Sequence, residues 1–365
     1  MATPTAAALK PFTIGSHYSS RQSFDTGVKN LAVGALTNTG PQTVPAVGFL
    51  AGLLLRVQAS ATGGVPVLSA DAPFNILETI NFRNSKGDNL ITPMKGYQLY
   101  LMNKWGAQIP GTVSPFGDPK VGAGYTAAAG AVDFFIWLPL SIDASQALGV
   151  VPATASNNNY QVEITLAALS TVWSGAPTAG TAQVSASAYY FDIPNDAGFS
   201  PTPLGMPTAS IWNVESPSVN PGNKLIQSFN TGNVIRNHIL VVRNAAGVRV
   251  DADFPALTTL VVDNVDRLRF PKREWEYMMS RWYTLTNAVK DQALGLDSGV
   301  YVIPYHALLT GDAGSTGNVR DQLLQTQSTT QVQFRGEPFG ATASALEIIT
   351  QSIATTDLNT LYSKE

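Results

Sequence analysis

Residues 74–84 read FNILETINFRN, and the same pattern returns in altered form as FPALTTLVVDN at residues 254–264. The two copies stay in register at a constant offset of 180 residues. The matched positions in the first copy are Phe74, Leu77, Ile80, Phe82 and Asn84, and in the second Phe254, Leu257, Leu260, Val262 and Asn264. Because self-similarity at a fixed spacing is the signature of a repeated structural unit, the chain is predicted to contain one unit twice.

The segments that follow each copy of the motif support the same interpretation. Each copy precedes a predicted helix, then an apolar strand that ends in proline, then a strand in which apolar and polar residues alternate. The helices are predicted over Thr92–Trp105 and Phe270–Val289, the proline-ended strands over Phe134–Pro139 and Gly299–Pro304, and the alternating strands over Gln161–Ile164 and Gln331–Phe334. The order predicts an all-β fold of two tandem eight-stranded jelly-roll barrels, with short helices between strands.

The length of 365 residues suits two domains, and the composition suggests where they divide. Pro, Ser and Asn concentrate between residues 194 and 223, near the middle of the chain. We therefore expect an N-terminal arm over residues 1–30, a first barrel over 31–195, a linker over 196–223 and a second barrel over 224–365. A long Gly/Ala/Pro-rich segment at 106–131 is expected to be an exposed loop.

Two stripes of large side chains recur at helical spacing within the predicted helices. We expect them to pack into the cores of the barrels, since aromatic and methionine stripes at this spacing are usually core. The stripe residues are Tyr97, Leu101 and Trp105 in the first helix, and Trp275, Met278, Met279 and Trp282 in the second.

The chain carries unusually little charge. Charged residues make up 13% of the sequence, and the net charge is −3, against about 25% charged residues in a typical soluble protein. Depletion of charge is a property of the central part of protein–protein interfaces, so extensive self-association is predicted. The slightly acidic balance gives no general basic footprint for nucleic acid, and we expect no sequence-specific nucleic-acid binding.

The first forty residues are a local exception to this charge balance. Their basic side chains are opposed by a single acid, Asp25. An arm of this kind can face an anionic surface such as lipid headgroups or nucleic acid, although a polar tail of no particular function fits equally well. The candidate arm residues are Lys10, His17, Arg21 and Lys29.

The sequence offers little for catalysis. The three histidines, His17, His238 and His306, are far apart and form no zinc-binding spacing, and neither a GxSxG elbow nor a phosphate-binding P-loop occurs. Two sets of carboxylates are candidates for a site, but the sequence alone pairs no two members of the first, and the second lacks the spacing of an EF-hand loop. They are Glu78, Asp133, Glu163 and Asp192 for glycoside hydrolysis, and Asp251, Asp253, Asp263 and Asp266 for calcium, the latter more simply explained as ion pairs with nearby arginines. We therefore predict no catalytic residue, no metal site and no cofactor.

Signals for export are missing from the sequence as well. There is no cysteine, no run of 18 apolar residues and no long apolar region near the start. The chain is expected to be made and folded in a cytoplasm.

The motif and its surroundings resemble a known family. FNILETINFRNSKGDNLITPMKGYQLYLMNKWG at 74–106, FFIWLPLSID at 134–143, YQVEITLAALSTVW at 160–173 and SGVYVIPY at 298–305 are similar to double jelly-roll major capsid proteins of tailless, membrane-containing bacteriophages of the tectivirus type. The resemblance runs from about Phe12 to about Ile353 and consists of patterns of size and polarity.

This resemblance implies a structural protein of the virion and not an enzyme. Such proteins form homotrimers with a pseudo-hexagonal outline, which tile an icosahedral shell with their barrels upright. It further implies neighbouring trimers as partners, an internal viral membrane beneath the N-terminal arm, and minor capsid or vertex proteins. The loop at 106–131 would then lie on the outer surface or between subunits, and assembly would take place in the host cytoplasm.

Three other classes of protein remain as alternatives. A carbohydrate-binding or carbohydrate-active β-sandwich would need exposed aromatic residues or a carboxylate pair in a cleft. A spike or vertex protein would need one barrel or a fibrous shaft, and the duplication argues against both. A coat protein of the tailed-phage fold would need a spine helix longer than any predicted here.

Overall fold

The computed structural model describes residues 9–84, 87–106, 118–121, 124–142, 147–153, 160–203, 209–282, 295–305, 324–326, 329 and 331–354. Within these residues β-strands dominate. The strands of the first half are β1 (Tyr18–Asp25), β2 (Lys29–Asn30), β3 (Thr37–Val44), β4 (Gly48–Thr62), β5 (Val67–Leu68), β6 (Leu77–Arg83), β7 (Asn89–Met94), β8 (Thr126–Ala128), β9 (Ala131–Pro139), β10 (Val151–Ala153), β11 (Tyr160–Leu166), β12 (Trp173–Ser174) and β13 (Ala179–Phe191).

The second half is built in the same way. Its strands are β14 (Ala209–Glu215), β15 (Leu225–Phe229), β16 (Val234–Asn244), β17 (Leu257–Val262), β18 (Val265–Pro271), β19 (Val300–Pro304), β20 (Leu324–Gln325), β21 (Val332–Glu337) and β22 (Ala343–Ala354). The helices are α1 (Phe12–Gly15), α2 (Gly96–Trp105), α3 (Leu169–Val172) and α4 (Lys272–Trp282). Among the residues described, none of these helices is long and apolar enough to cross a membrane.

Each half folds two four-stranded antiparallel sheets against one another. In the first half the strand orders are β1-β13-β4-β9 and β3-β11-β6-β7, and in the second half they are β14-β22-β16-β19 and β15-β21-β17-β18. With the eight strands of a half lettered B to I, both halves read BIDG and CHEF. This is the strand order of a jelly roll, so the prediction of two tandem jelly-roll barrels is confirmed.

The repeated motif lies at the centre of each barrel. Phe74 stacks on Tyr100 with ring centroids 4.4 Å apart, and Phe254 stacks on Tyr301 at 3.6 Å. Other strands contribute every second residue to the core. In β11, for example, buried residues alternate with half-buried ones from Tyr160 to Leu166. A strand with this period of two presents one face to the interior of the sandwich.

Both long helices begin later than the sequence predicted. Thr92 and Pro93 belong to β7, and Phe270 and Pro271 to β18. The helix α2 begins at Gly96 because the Gln98 side chain accepts a hydrogen bond of 2.8 Å from the backbone N–H of Lys95, which caps the helix. Glycine is required there, since a Cβ on Gly96 would lie 2.1 Å from the carbonyl oxygen of Phe74.

Strands β1 and β2 lie where the sequence predicted an arm, and β14 lies where it predicted a linker. Strand β1 falls within residues 1–30 and pairs with β13, and β14 falls within residues 196–223 and pairs with β22. Strand β1 lies at the edge of its sheet and buries only Phe24, whereas β14 lies between β22 and β7. A strand with so few core-facing apolar residues gives no clear signal in the sequence.

Candidate assembly surfaces

The two barrels meet along a continuous junction. Strand β7 of the first barrel lies beside β14 of the second in a parallel bridge between Ile91 and Trp212. The hydroxyl of Thr92 donates a 2.9 Å hydrogen bond to the carbonyl oxygen of Trp212. The indole is buried over Gly106, where a Cβ would come within 2.6 Å of it. The bridge joins one sheet from each barrel into a single larger sheet.

A buried carboxylate ties α2 to the second barrel. Asp297 is fully buried, and Lys104 on α2 places its Nζ 2.5 Å from Oδ2. The hydroxyl of Tyr100 donates to the same carboxylate at 3.2 Å, and the ammonium group of Lys120 lies 3.6 Å away. Asp118 provides Lys104 with a second carboxylate at 3.5 Å. A charge buried this deeply is retained only where it is paired and hydrogen-bonded, as it is here.

A second polar cluster lies around Tyr97. The guanidinium groups of Arg243 and Arg249 both pair with Asp71, at 2.9 and 2.7 Å, and both lie over the ring of Tyr97. Arg243 also pairs with Glu347 at 2.8 Å. Burial alone would lower the pKa of Arg243, but the neighbouring carboxylates outweigh it and raise that pKa. Burial raises the pKa of the Tyr97 phenol well above its ordinary value, so Tyr97 remains a hydrogen-bond donor.

These contacts fix the orientation of one barrel against the other. The hydroxyl of Tyr97 donates to the carbonyl oxygen of Leu296 at 2.5 Å, and Gln98 hydrogen-bonds to Glu347. Arginine forks and phenol hydroxyls have strict directional requirements, whereas apolar contacts have none. The junction is therefore suited to hold a set angle between barrels and provides no reacting group in a cleft.

The N-terminal candidate residues do not form one basic surface. The backbone of Lys10 is bound to the loop after β13, through hydrogen bonds with Gly198 and Ser200. His17 lies at the end of β13 near Asp192, whereas Lys29 pairs beside Ala182. Ten strand residues separate these two places, which corresponds to roughly 33 Å. Arg21 lies between them, opposite Ala188.

The stripe residues lie largely in the core. Tyr97, Leu101 and Trp105 are buried in the first barrel and its junction. In α4, Trp275 and Met279 are buried and Met278 is half-buried. The indole N–H of Trp275 donates to the carbonyl oxygen of Val302 at 2.8 Å. Trp282 ends α4, and its side chain lies outside the described residues, as do His306 and residues 107–117 of the predicted exposed loop.

Three of the four candidate carboxylates for glycoside hydrolysis pair with cations and not with each other. Asp133 pairs with Arg56 at 2.7 Å, Glu78 with Lys95 at 3.1 Å, and Glu163 with Arg83. The Arg56 guanidinium hydrogen-bonds to Asp133 and lowers the pKa of that carboxyl. This is the reverse of what a general acid requires.

The aspartates considered for calcium also have separate partners. Asp251 pairs with Lys272 at 2.8 Å, Asp253 hydrogen-bonds to Thr342, and Asp266 lies 3.9 Å from Arg335. In the part of the chain that the structure describes, no group of three metal-binding side chains converges. Arg249, which the sequence placed among these aspartates, pairs with Asp71.

Comparison with known proteins finds similarity in structure alone. No protein-family model matches the chain, and no curated protein sequence matches it. Solved structures, in contrast, match the chain over nearly its full length. The atomic structure of Sulfolobus turreted icosahedral virus contains a chain with a TM-score of 0.61 at 14% identity, covering 95% of this chain and 94% of that one.

Two further solved structures agree over nearly the full length. The PBCV-1 virus capsid gives a TM-score of 0.60 at 10% identity, covering 96% and 95% of the two chains. The major capsid protein from bacteriophage PM2 gives 0.52 at 12% identity, covering 93% and 98%. The fold is that of the double jelly-roll major capsid proteins, and the resemblance noted in the sequence is confirmed at the level of fold.

Proposed function

We propose that this chain is the major capsid protein of a tailless icosahedral virus. The observation that carries the proposal is the complete BIDG and CHEF strand order in both halves, joined side by side through the β7–β14 bridge. Two like barrels in one chain provide six like units in a trimer, which suits a pseudo-hexagonal building block. The proteins with similar structures are themselves described as capsid proteins.

The role is structural. Neighbouring copies of the trimer are its main partners, and its place is the shell of the virion, after assembly in the host cytoplasm. The N-terminal segment faces inward, toward an internal membrane where the virus has one, and minor capsid or vertex proteins occupy the remaining positions. The low charge of the sequence, at 13%, supports a surface largely covered by such contacts. No enzymatic activity, cofactor or sequence-specific nucleic-acid contact forms part of the proposal.

The proposed domain boundaries are those predicted from the sequence, and strands β1 and β14 in the arm and the linker pair with the barrels that follow them. The arm is proposed over residues 1–30 and the linker over 196–223, between barrels at 31–195 and 224–365. Strands β1 and β14 extend each barrel's sheet into the segment before it. A carbohydrate-active sandwich is not favoured, since three of its four candidate carboxylates, Glu78, Asp133 and Glu163, are held in ion pairs.

Light scattering after size exclusion tests the proposal. A trimer of the 38.7 kDa chain has a mass of about 116 kDa, and this mass is expected to persist at low micromolar concentration. Electron micrographs of the same sample should display hexagonal outlines. A stable monomer of 38.7 kDa would contradict the proposal and would direct attention to glycan-binding assays.

A further inference from the structure

The cluster around Asp297 brings a primary amine onto a carboxyl group in a buried site. Lys104 lies in the last turn of α2, and Asp297 ends the short 3₁₀ helix Gly295–Asp297 of the second barrel. Their side chains are 5% and 0% exposed, and Nζ of Lys104 lies 2.5 Å from Oδ2 of Asp297. The two reactants of an amide bond, one from each barrel, are therefore held in contact.

The distance between them suits an attack of the amine nitrogen on the carboxyl carbon. Because a carbon–oxygen bond of this kind is about 1.2 Å long, Nζ of Lys104 lies no more than about 3.7 Å from Cγ of Asp297. Reacting atoms in a productive arrangement lie about 3–3.5 Å apart, so a small shift of the Lys104 side chain is sufficient. Groups fixed in this way react as if their concentration were about 10⁵–10⁸ M, which favours a bond that free amines and carboxylates in water do not form.

Two neighbours are placed to polarise the Asp297 carboxyl group. The Tyr100 hydroxyl donates to Oδ1 at 3.2 Å, and the ammonium group of Lys120 lies 3.6 Å from Oδ2. Burial raises the pKa of Tyr100 well above its ordinary value, so the phenol keeps its proton and remains a donor. Fixed donors beside a carboxyl group stabilise the negative charge that develops on oxygen during an attack.

Asp118 provides a second carboxylate through which protons can move. Its Oδ2 lies 3.5 Å from Nζ of Lys104, close enough to take a proton from the nitrogen after a small movement. The side chains of Asp118 and Lys120 are 21% and 27% exposed, whereas the reacting pair is almost wholly buried. The cluster therefore opens to solvent on the side of Asp118, and a released water molecule can leave there.

We propose that Lys104 and Asp297 join spontaneously in an amide bond, which links the two barrels covalently. The ion pair is the state of the newly folded chain, and one proton passes from Nζ to Oδ2 to give a neutral amine and a carboxylic acid. Nζ then attacks Cγ, and the bond from Cγ to Oδ2 breaks. Asp118 takes a second proton from the nitrogen and delivers it to Oδ2, which leaves as water, while Oδ1 remains as the amide oxygen. One C–N bond replaces one C–O bond, the net charge is unchanged, and no oxidant or reductant takes part.

The bond would stabilise the junction in two ways. An amide is neutral, so two buried charges disappear, and the opposite charges of Asp118 and Lys120 remain balanced. The link also closes a loop of 193 positions, which restricts the unfolded chain. Because the chain contains no cysteine, an amide would give it a covalent link that reduction cannot break. The inference goes beyond the proposed function and does not depend on it.

Mass spectrometry of the purified full-length chain tests the bond. Trypsin should fail to cleave after Lys104, and a branched product should join residues 96–120 to residues 291–320. The mass of this product should be lower than the summed masses of its two peptides by one water molecule. A chain that has been stored for days at neutral pH and still yields the two peptides separately, with cleavage after Lys104, would overturn the proposal.

Three variants test the assigned roles. Lys104→Arg is the matched control, because arginine keeps the positive charge beside Asp297 but its guanidinium group stays protonated and does not attack a carboxyl group. Lys120→Arg keeps the reacting pair and should still give the branched product. Asp118→Asn should slow the appearance of that product at least tenfold, since the carboxylate that moves protons is lost. An unchanged rate in the Asp118 variant would contradict the role of Asp118.

A denaturing gel provides a second readout of the same link. The wild-type chain should migrate faster than the Lys104→Arg chain, because an internal bond keeps the unfolded chain more compact, and equal migration would contradict the bond. Light scattering of the native protein reports the trimer separately. A trimer whose chains lack the branched product would overturn the amide and leave the capsid proposal standing, whereas a stable monomer that contains it would do the reverse.

Discussion

Lys104 and Asp297 face each other across the boundary between the two barrels, with Nζ 2.5 Å from Oδ2 and both side chains almost wholly buried. The two residues are 193 positions apart in the sequence. The pair is surrounded by Tyr100, Asp118 and Lys120, so its charges are held by hydrogen bonds and neighbouring ions in place of water. Removing Asp297 leaves the buried Lys104 with a single, more distant counter-ion, Asp118 at 3.5 Å.

Asp297→Asn is accordingly expected to lower the free energy of unfolding by about 3 kcal/mol, because breaking this buried ion pair leaves the charge of Lys104 only partly compensated. Urea unfolding at fixed protein concentration measures the change. Lys224→Gln is the matched control, since Lys224 and Glu337 form an ion pair in which each side chain is 44% exposed. Exposed pairs contribute little, and this control should change the unfolding free energy by less than about 1 kcal/mol. Equal effects from both variants would contradict a special role for Asp297.

Arg249→Lys tests whether the junction depends on the shape of the guanidinium group. Arg249 donates from Nε to Asp71 at 2.7 Å and from Nη2 to the carbonyl oxygen of Ala70 at 2.7 Å, and also reaches Ser298. Lysine keeps the charge but cannot reproduce the planar fork, so a loss of about 2 kcal/mol is expected. The measurement is urea unfolding, and Arg21→Lys on the exposed face of β1 is the control. If lysine substitutes without loss, charge alone is sufficient at this site.

The fold of each barrel could be predicted from the sequence, but the contacts between the barrels could not. The repeat motif predicted the fold because its apolar positions are local and recur at a fixed offset. The junction could not be predicted from the sequence, since it joins residues such as Arg249 and Asp71 that are 178 positions apart. Strand β1 was missed for a different reason. Its outer positions are polar, and in the sequence they resemble a polar tail.

Phe12 is predicted to anchor the N-terminal segment to the first barrel. Its ring is buried against Phe49 at 5.3 Å and Phe191 at 6.3 Å, both edge-on, while Ile14 beside it is 69% exposed. Phe12→Ala removes these contacts and should release α1, so that the backbone amides of Lys10 and Ser16 exchange with solvent at least tenfold faster. Ile14→Ala is the control and should leave exchange unchanged. Hydrogen exchange followed by mass spectrometry measures the exchange rates in both variants. Exchange as slow in the Phe12 variant as in the wild type would contradict the predicted anchoring role of Phe12.

His238 lies inside the second barrel, where the first barrel has an apolar residue. Its ring stacks on Phe229 at 3.9 Å, and Nδ1 lies 2.9 Å from the hydroxyl of Thr350. Strands β9 and β19 end in Pro139 and Pro304, which face Gly52 and Asn237 across their sheets. One residue further along from this matched pair, His238 and Thr350 correspond to Leu53 and Ala188, which are paired in the same register. Burial lowers the pKa of His238 to about 3. The folded barrel therefore holds the imidazole neutral at pH values where an unfolded chain, with a histidine pKa of about 6.5, would bind a proton.

The sign of the effect on stability follows from this difference in protonation. Between about pH 6.5 and pH 3 the unfolded state binds one proton more at His238, so stability is complete above pH 6.5 and decreases by about 1.4 kcal/mol per unit as the pH falls. His238→Leu/Thr350→Ala, which restores the first barrel's pair, should remove this part of the pH dependence. The wild type should lose about 2–3 kcal/mol more than the variant between pH 6.5 and pH 4.5. Tyr305→Phe is the control, because Tyr305 contacts the same ring at 5.7 Å and its phenol, whose pKa burial raises, stays neutral in this range. If the stability of the wild type and of the Leu/Ala variant falls equally with pH, the buried imidazole of His238 is not the cause of the loss of stability in acid.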